Sequence, residues 1–430
     1  MFFAFAGRFS EYGWGIQGLT TQNPAQERTE DRGDWGMLAL AWLLYFAFSI
    51  TAASLFPLVT PVRDELDLSY SQMGIILGAW QLVYIGAAIP VGTMIDRIGT
   101  KRSLLFGALI IAASGLTRSL APNFPIMLGA VALFGLGGPI ISIGLPKLVA
   151  EWFTGKKRGL ASGIYVTGSH AGNVVVLAIT NSLIMPLVGS WRTTLQIYAG
   201  VVLVIALLWF LLGRESEDFK AQQKARDEGT DQEKSASIRD IIGIGAIWPV
   251  IIIGFSGFLS SHGFRSWLPQ IFEDKGMSPA TAGFLAAVPA ITGMIGSIII
   301  VRIASEGYRR QMTIGLLFTV GLTIGLIGVL SGPLLVATVM IQGFAAAALM
   351  PLMMNTLMEM PEVGARYLGV AAGLYFSIGE VGGFAGPALV GFLADLTGSF
   401  LAGIFALSIV MWLMIIPALR LKDRPRSAET

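Results

Sequence analysis

Apolar runs of about twenty residues or more recur twelve times along this chain. They lie at about 36–62, 70–94, 101–120, 124–150, 158–186, 192–213, 241–272, 279–303, 310–331, 333–359, 366–393 and 398–420. A helix needs about 20 apolar residues to cross the ~30 Å hydrocarbon core of a bilayer. The charged fraction is 13%, against about 25% in soluble domains, so 430 residues could not hide these runs from water in one core. The expected fold is an all-α integral membrane protein of twelve transmembrane helices. With no cysteine and only two histidines, disulfides, thiolate chemistry and histidine-rich metal or haem sites are excluded, and no cofactor is expected.

The loops fix an orientation. With the N-terminus in the cytoplasm, 23 of the 29 lysines and arginines fall on the cytoplasmic side, including Arg97, Lys101, Arg102, Lys156, Lys157, Arg158, Arg309 and Arg310. Only Arg63, Arg118, Arg192, Arg265 and Lys275 fall opposite, and Lys147 lies within the fourth run. Positive residues stay inside, so both termini are expected in the cytoplasm. Residues 1–35 read as a cytoplasmic arm without a signal-peptide pattern, with a short interfacial helix near Phe2 to Tyr12. Residues 36–213 and 241–420 read as two six-helix bundles, 214–240 as a charged cytoplasmic linker, and 421–430 as a tail.

The bundles repeat each other. Leu68-Ser69 and Gly74 recur as Met277-Ser278 and Gly283, each serine placed to cap a helix. Gly159, Ala161, Gly163 and Gly172 recur 210 residues on as Gly369, Ala371, Gly373 and Gly382. Gly99 and Arg102 recur 208 residues on as Gly307 and Arg310. Two such copies imply a pseudo-twofold axis along the membrane normal and a solute site between them near the midplane.

Three segments carry a family resemblance: Gly92-x-x-x-Asp96-Arg97-x-Gly99-x-Lys101-Arg102; Glu151-Trp152-Phe153 with Arg158-Gly159-Leu160-Ala161-Ser162-Gly163; and Gly379 through Gly386-Pro387, Gly391, Asp395 and Gly398. From about residue 36 to 420 the chain resembles the major facilitator superfamily. The resemblance implies rocker-switch alternating access, with Gly92, Asp96, Arg97, Gly99, Lys101, Arg102 and Arg158 as the cytoplasmic gating motif and Asp96 meeting the eleventh helix. Gly92 is expected to remove bulk at a helix contact. The second copy, Ala304 to Arg310, lacks the acid at the matching place, so the latch is expected to be one-sided. Gly144-Leu145-Pro146, Trp152-Phe153 and Ser266-Trp267-Leu268-Pro269 resemble the cyanate-permease group and related organic-anion carriers more loosely.

Ionisable groups inside spans are functional candidates by default. His170 and Glu380 occupy equivalent positions at midplane depth, 210 residues apart, and either could carry substrate or a coupling proton. The plainer account is a histidine bonded to a neighbouring backbone carbonyl and a glutamate kept neutral between helices. Gln81 and Tyr84 on the second helix are the expected neighbours of Glu380. Arg265, whose repeat counterpart is near Phe56, would hold a carboxylate or similar anion, or else snorkel to the outer interface beside Trp267. Asn173, Asn355 and Tyr375 are expected polar lining, and Pro57, Pro61, Pro139, Pro146, Pro289 and Pro351 are places for bends.

A multi-pass, secondary active carrier of the bacterial inner membrane follows, moving a small organic anion by proton symport as a monomer and binding no nucleic acid. The deep arginines of nitrate carriers are missing before Arg97 and Arg302, and Gly168 to Leu177 lacks the proline of drug–proton antiporters. Efflux of a small molecule or drug by proton antiport is the second reading. An embedded enzyme or a sensor is disfavoured, because the sequence offers no nucleophile cluster, metal set or signalling module.

Overall fold

The computed structural model describes residues 33–216, 241–304 and 308–421. The Phe2–Tyr12 helix, the linker beyond Ser216, the tail after Leu421 and residues 305–307 of the second motif copy lie outside the described residues.

Within them the chain is 88% helical and without strands. The helices are α1 Trp35–Ala53, α2 Val59–Glu65, α3 Tyr70–Ile98, α4 Thr100–Ser119, α5 Phe124–Trp152, α6 Gly155–Ile179, α7 Met185–Val188 and α8 Trp191–Leu212 in the first half. The second half holds α9 Trp248–Asp274, α10 Pro279–Ala304, α11 Arg309–Val329, α12 Gly332–Met358, α13 Gly364–Thr397, α14 Phe400–Leu413 and α15 Ile415–Ala418. Ten segments are long and apolar enough to cross a membrane, and α3, bent by 59° near Pro90, makes an eleventh. The remaining long helix, α4, carries Lys101, Arg102 and Arg118, which dilute its apolar stretch.

Local chemistry sets the helix ends. Ser69 and Gln72 form a reciprocal capping box at the start of α3, and Ser278 accepts the backbone N–H of Thr281 at the start of α10, so both expected serine caps are present. Pro57 sits in the one-turn 3₁₀ helix Phe56–Leu58 that separates α1 from α2. Proline lacks the N–H that would continue the ladder. The bend at Pro90 was not among the expected ones. The run starting at 241 becomes regular α-helix only at Trp248, where Pro249 is tolerated because first-turn donors are unpaired anyway.

The halves meet through α3 against α13 and α6 against α10. Both crossings use repeated glycines. A Cβ on Gly74 would strike the carbonyl of Pro387 in α13, and one on Gly283 the carbonyl of Leu177 in α6. Inside each half, Gly172 backs onto the Phe46 carbonyl and Gly382 onto the Phe255 carbonyl, so the sequence repeat is also a repeat of backbone contacts. The crossings cluster at the end away from Arg97, Lys101 and Arg158. There the Asp395 carboxylate of α13 accepts the N–H groups of Tyr70 (2.9 Å) and Ser71 (2.7 Å) at the start of α3. Thr60 Oγ1 lies 2.7 Å from Gln270 Oε1 and 2.8 Å from Glu273 Oε2. At the basic end, a Cβ at Gly86, Gly92, Gly159, Gly163, Gly369 or Gly373 would meet no described residue within 4 Å. Among the described residues the halves are therefore closed at one end and open at the basic end.

Gly74→Val overpacks the closed crossing by an amount that typically costs about 1–3 kcal/mol, enough to shift a balance between conformers. The expected outcome is faster labelling of a cysteine at the buried position Leu58 by a membrane-impermeant maleimide, in a background that has no native cysteine. Equal labelling with and without Gly74→Val would contradict the crossing as the closing contact.

Candidate functional site

Five cations fall at the closed end of the sequence map, and four of them bind backbone carbonyls. Arg118, 1% exposed, donates to the Thr51 carbonyl at 2.7 Å and to Ser54 Oγ at 3.2 Å, where α1 ends. Arg192 donates to the Ser119 and Ala121 carbonyls at 3.0 and 2.9 Å, following α4, and pairs with Glu65 at 2.9 Å. Lys275 donates to the Gly328 and Leu330 carbonyls at 2.7 and 3.1 Å, at the end of α11; burial holds its ammonium below the usual lysine range. Arg63 donates to the Leu68 carbonyl and lies 3.9 Å over the Tyr70 ring. A helix C-terminus offers unpaired carbonyls and partial negative charge, so these four have structural employment.

Arg265 does not. Its Nε is buried without a hydrogen-bond partner, and its guanidinium lies within electrostatic reach of Glu380, Tyr45, His170 and His262. It faces the centre between the halves. Trp267 packs edge-on to Tyr70 and tilted against Phe400, with its Nε1 donating to the Pro387 carbonyl. The snorkelling alternative for Arg265 is therefore not the one adopted.

Around Arg265 the structure gathers further polar groups. Gln81, 1% exposed, sits with Nε2 3.1 Å from His262 Nδ1. An amide N–H only donates, so in this orientation Nδ1 accepts and the imidazole proton sits on Nε2. Three side chains converge on the backbone of Gly383: a Cβ there would lie 3.0 Å from Glu380 Oε2, 3.3 Å from Gln81 Cγ and 3.3 Å from His262 Cδ2. Glu380 is 7% exposed. Gln81 Oε1, Glu380 Oε2 and Ser260 Oγ are buried and without partners, as is Arg265 Nε. Buried polar atoms are rarely left so; Arg118 Nε and Nη2 are further instances, at the closed end.

The other expected residues divide. Tyr84 lies on α3 one turn from Gln81 and bonds Ser142 at 2.9 Å. Tyr375 is buried in the second half against Phe258. His170 bonds the Val166 carbonyl of its own helix at 3.2 Å, the plainer account, yet stays within reach of Arg265. Asn173 turns to the Ser169 carbonyl at 3.0 Å. Asn355 stands one turn from the end of α12, toward the open mouth. His262, Tyr45 and Ser260 were not singled out from sequence. For His262 a signal existed, since it is one of only two histidines and lies three residues before Arg265.

In this conformation the gating segment makes its contacts within each half. A Cβ on Gly92 would meet no described residue within 4 Å. Asp96 pairs with Lys147 of α5 at 2.5 Å, within its own half. The second half carries a pair of opposite polarity, Arg309–Glu359 at 2.5 Å. Gly99 holds φ +87°, and the Glu215 carboxylate packs where its Cβ would be. Glu215 accepts the N–H groups of Thr100 (3.1 Å) and Lys101 (3.3 Å), capping α4. Arg158 donates to the Phe153 and Ala150 carbonyls at the end of α5, while Arg97 and Arg102 are exposed.

The model of the Major Facilitator Superfamily matches residues 41–332 and 271–430. The chain belongs to the major facilitator superfamily. Among its relatives, an uncharacterized transporter of Bacillus subtilis (strain 168) is 25% identical, over 83% of this chain and 87% of the relative. A protein of Escherichia coli (strain K12) named as a probable galactarate/D-glucarate transporter is 24% identical, over 84% and 88%. The hexuronate transporter of B. subtilis is 24% identical, over 81% and 84%.

Gly99→Ala should lower the melting temperature by several degrees, since a strained backbone costs about 1–3 kcal/mol and the Glu215 cap is displaced as well. Gly92→Ala should leave melting unchanged. Similar melting curves for the two variants would refute the assignment of Gly99.

Proposed function

We propose that this chain is a secondary active transporter of the bacterial inner membrane that imports a small organic anion together with protons. Twelve spans in two six-helix halves, with both termini cytoplasmic, make up the transport unit, and one chain suffices. The basic end then faces the cytoplasm, and the conformation described is inward-open. Alternating access closes that end as the α3–α13 and α6–α10 crossings part at the other.

The observation that carries the reading is Arg265. Four of the five outward cations serve carbonyls at or near helix ends, and the fifth stands at the centre with a buried, unpartnered Nε. A guanidinium there provides a planar fork for a carboxylate. The names of the relatives, which specify organic acids, support the same class. Glu380, in reach of Arg265 and bordered by Gln81 and His262, is the group we assign to the proton. When an anion engages Arg265, that arginine stabilises the Glu380 carboxylate less, which couples the two ligands. Tyr45, Gln81 and His262 orient the solute, and Asp96 with Lys147 belongs to the latch that re-forms in the outward-open state.

Uptake into proteoliposomes, with and without an imposed pH gradient, tests this. Arg265→Ala should reduce uptake of organic anions by at least tenfold, the loss of a charge-assisted hydrogen bond of ~1.5–3 kcal/mol. Glu380→Gln should keep anion exchange but lose accumulation driven by the pH gradient; full pH-driven uptake in that variant removes the proton assignment. Asp96→Asn should leave expression intact and cut transport several-fold, and unchanged transport would dismiss its part in gating.

A further inference from the structure

Beside this centre a side cavity of about 110 Å³ lies within the second half between α9, α11, α12, α13 and α14. His262 belongs to both places: it lines the cavity and bonds Gln81 beside Glu380. The walls are apolar. Ile253, Phe258, Leu349, Met350 and Met353 supply much of them, and Val320 and Met411 close the far end. Polar lining is confined to Ser260, Ser261, His262, Gln342 and the Tyr375 hydroxyl. Three of these are consecutive on α9, and Arg265 follows His262 by one helical turn.

This distribution of chemistry is asymmetric. Ser260, Ser261 and His262 lie on α9, the helix of Arg265, and Leu349, Met350 and Met353 on α12. A polyhydroxylated acid placed here would find side-chain partners at Ser260, Ser261, His262, Gln342 and the Tyr375 hydroxyl, and would set its remaining hydroxyls against Leu349, Met350 and Met353. An acid with a hydrocarbon body would set its carboxylate at Arg265 and bury its chain. Methionine, unbranched and polarizable, adapts to chains of different shape.

We propose that the solute of this transporter is an amphiphilic monocarboxylate, its carboxylate on Arg265 and its aliphatic or aryl body in the Met-lined cavity of the second half. The proposal rests on the anion reading above and distinguishes this chain from the sugar-acid chemistry named for its relatives.

The test is equilibrium binding to the purified full chain in detergent, using straight-chain monocarboxylates of four to ten carbons, phenylalkanoic acids, glucarate, and alkylamines of matching length. Affinity should rise about threefold to fourfold per methylene, the equivalent of ~0.8 kcal/mol, and level off when the cavity is full. Glucarate should bind at least a hundredfold more weakly than the best acid. Ala346→Phe, which fills the cavity from α12, should make affinity level off at shorter chains.

A flat profile along the acids, or tighter binding of glucarate than of any monocarboxylate, overturns the proposal. If that happens while Arg265→Ala still abolishes carboxylate binding, the anion site stands and only the amphiphile falls. If alkylamines bind as well as the acids, or Arg265→Ala changes nothing, the anion reading fails first and takes the proposal with it. The chain-length profile is read on the unaltered protein, so a poorly folded variant cannot obscure it.

Discussion

Hydrocarbon offers no partner to a backbone carbonyl at a helix end and none to a guanidinium, and this chain meets both needs with the same contacts. Arg118 at the end of α1, Arg192 following α4 and Lys275 at the end of α11 each supply donors where the helical ladder runs out. Each contact also ties two helices of one half together. The halves can therefore move as bodies, because their internal joints are polar, short and directional, while the contacts between them are mostly close backbone packing.

That difference in bonding sets how the halves are joined. Gly74 and Gly283 let α3 and α10 approach the opposite half until backbone meets backbone, an interaction built on dispersion and lost over a fraction of an ångström. Asp395 adds two charge-assisted hydrogen bonds to the α3 N-terminus, and these need only exchange for water when the crossing parts. At the basic end each half keeps its own ion pair, Asp96–Lys147 and Arg309–Glu359. Asp96 is half-exposed, and an exposed pair is worth little, about 0–1 kcal/mol, so it can be traded for a partner across the gap at small cost.

Much of this was legible in the chain. The apolar runs gave helix positions, serines 69 and 278 gave two caps, and the constant offset paired glycines that prove to make equivalent contacts. Gln81 and Glu380 both come up to the backbone of Gly383, on the helices expected to be neighbours. Other features were not legible. Lys147 was only a lysine within an apolar run, and folding put Asp96 beside it, 51 residues away in sequence. Glu215 seemed to belong to a charged linker, yet it caps α4 because Gly99 leaves room for its carboxylate. Tyr45 carries no charge, so a search for ionisable groups passed over it.

By itself the sequence determined that the chain is helical, duplicated and embedded, because hydropathy and positive-charge asymmetry act on each segment regardless of its neighbours. It could also say that five cations sit on the less basic side. Which of the five has no carbonyl partner was decided by the tertiary structure alone, since Arg118, Arg192 and Lys275 find theirs only once distant helix ends are brought together. The cavity was decided there too: Met350 and Met353 are ordinary span residues in the sequence, and become part of its wall only when α9, α11, α12, α13 and α14 pack around one space.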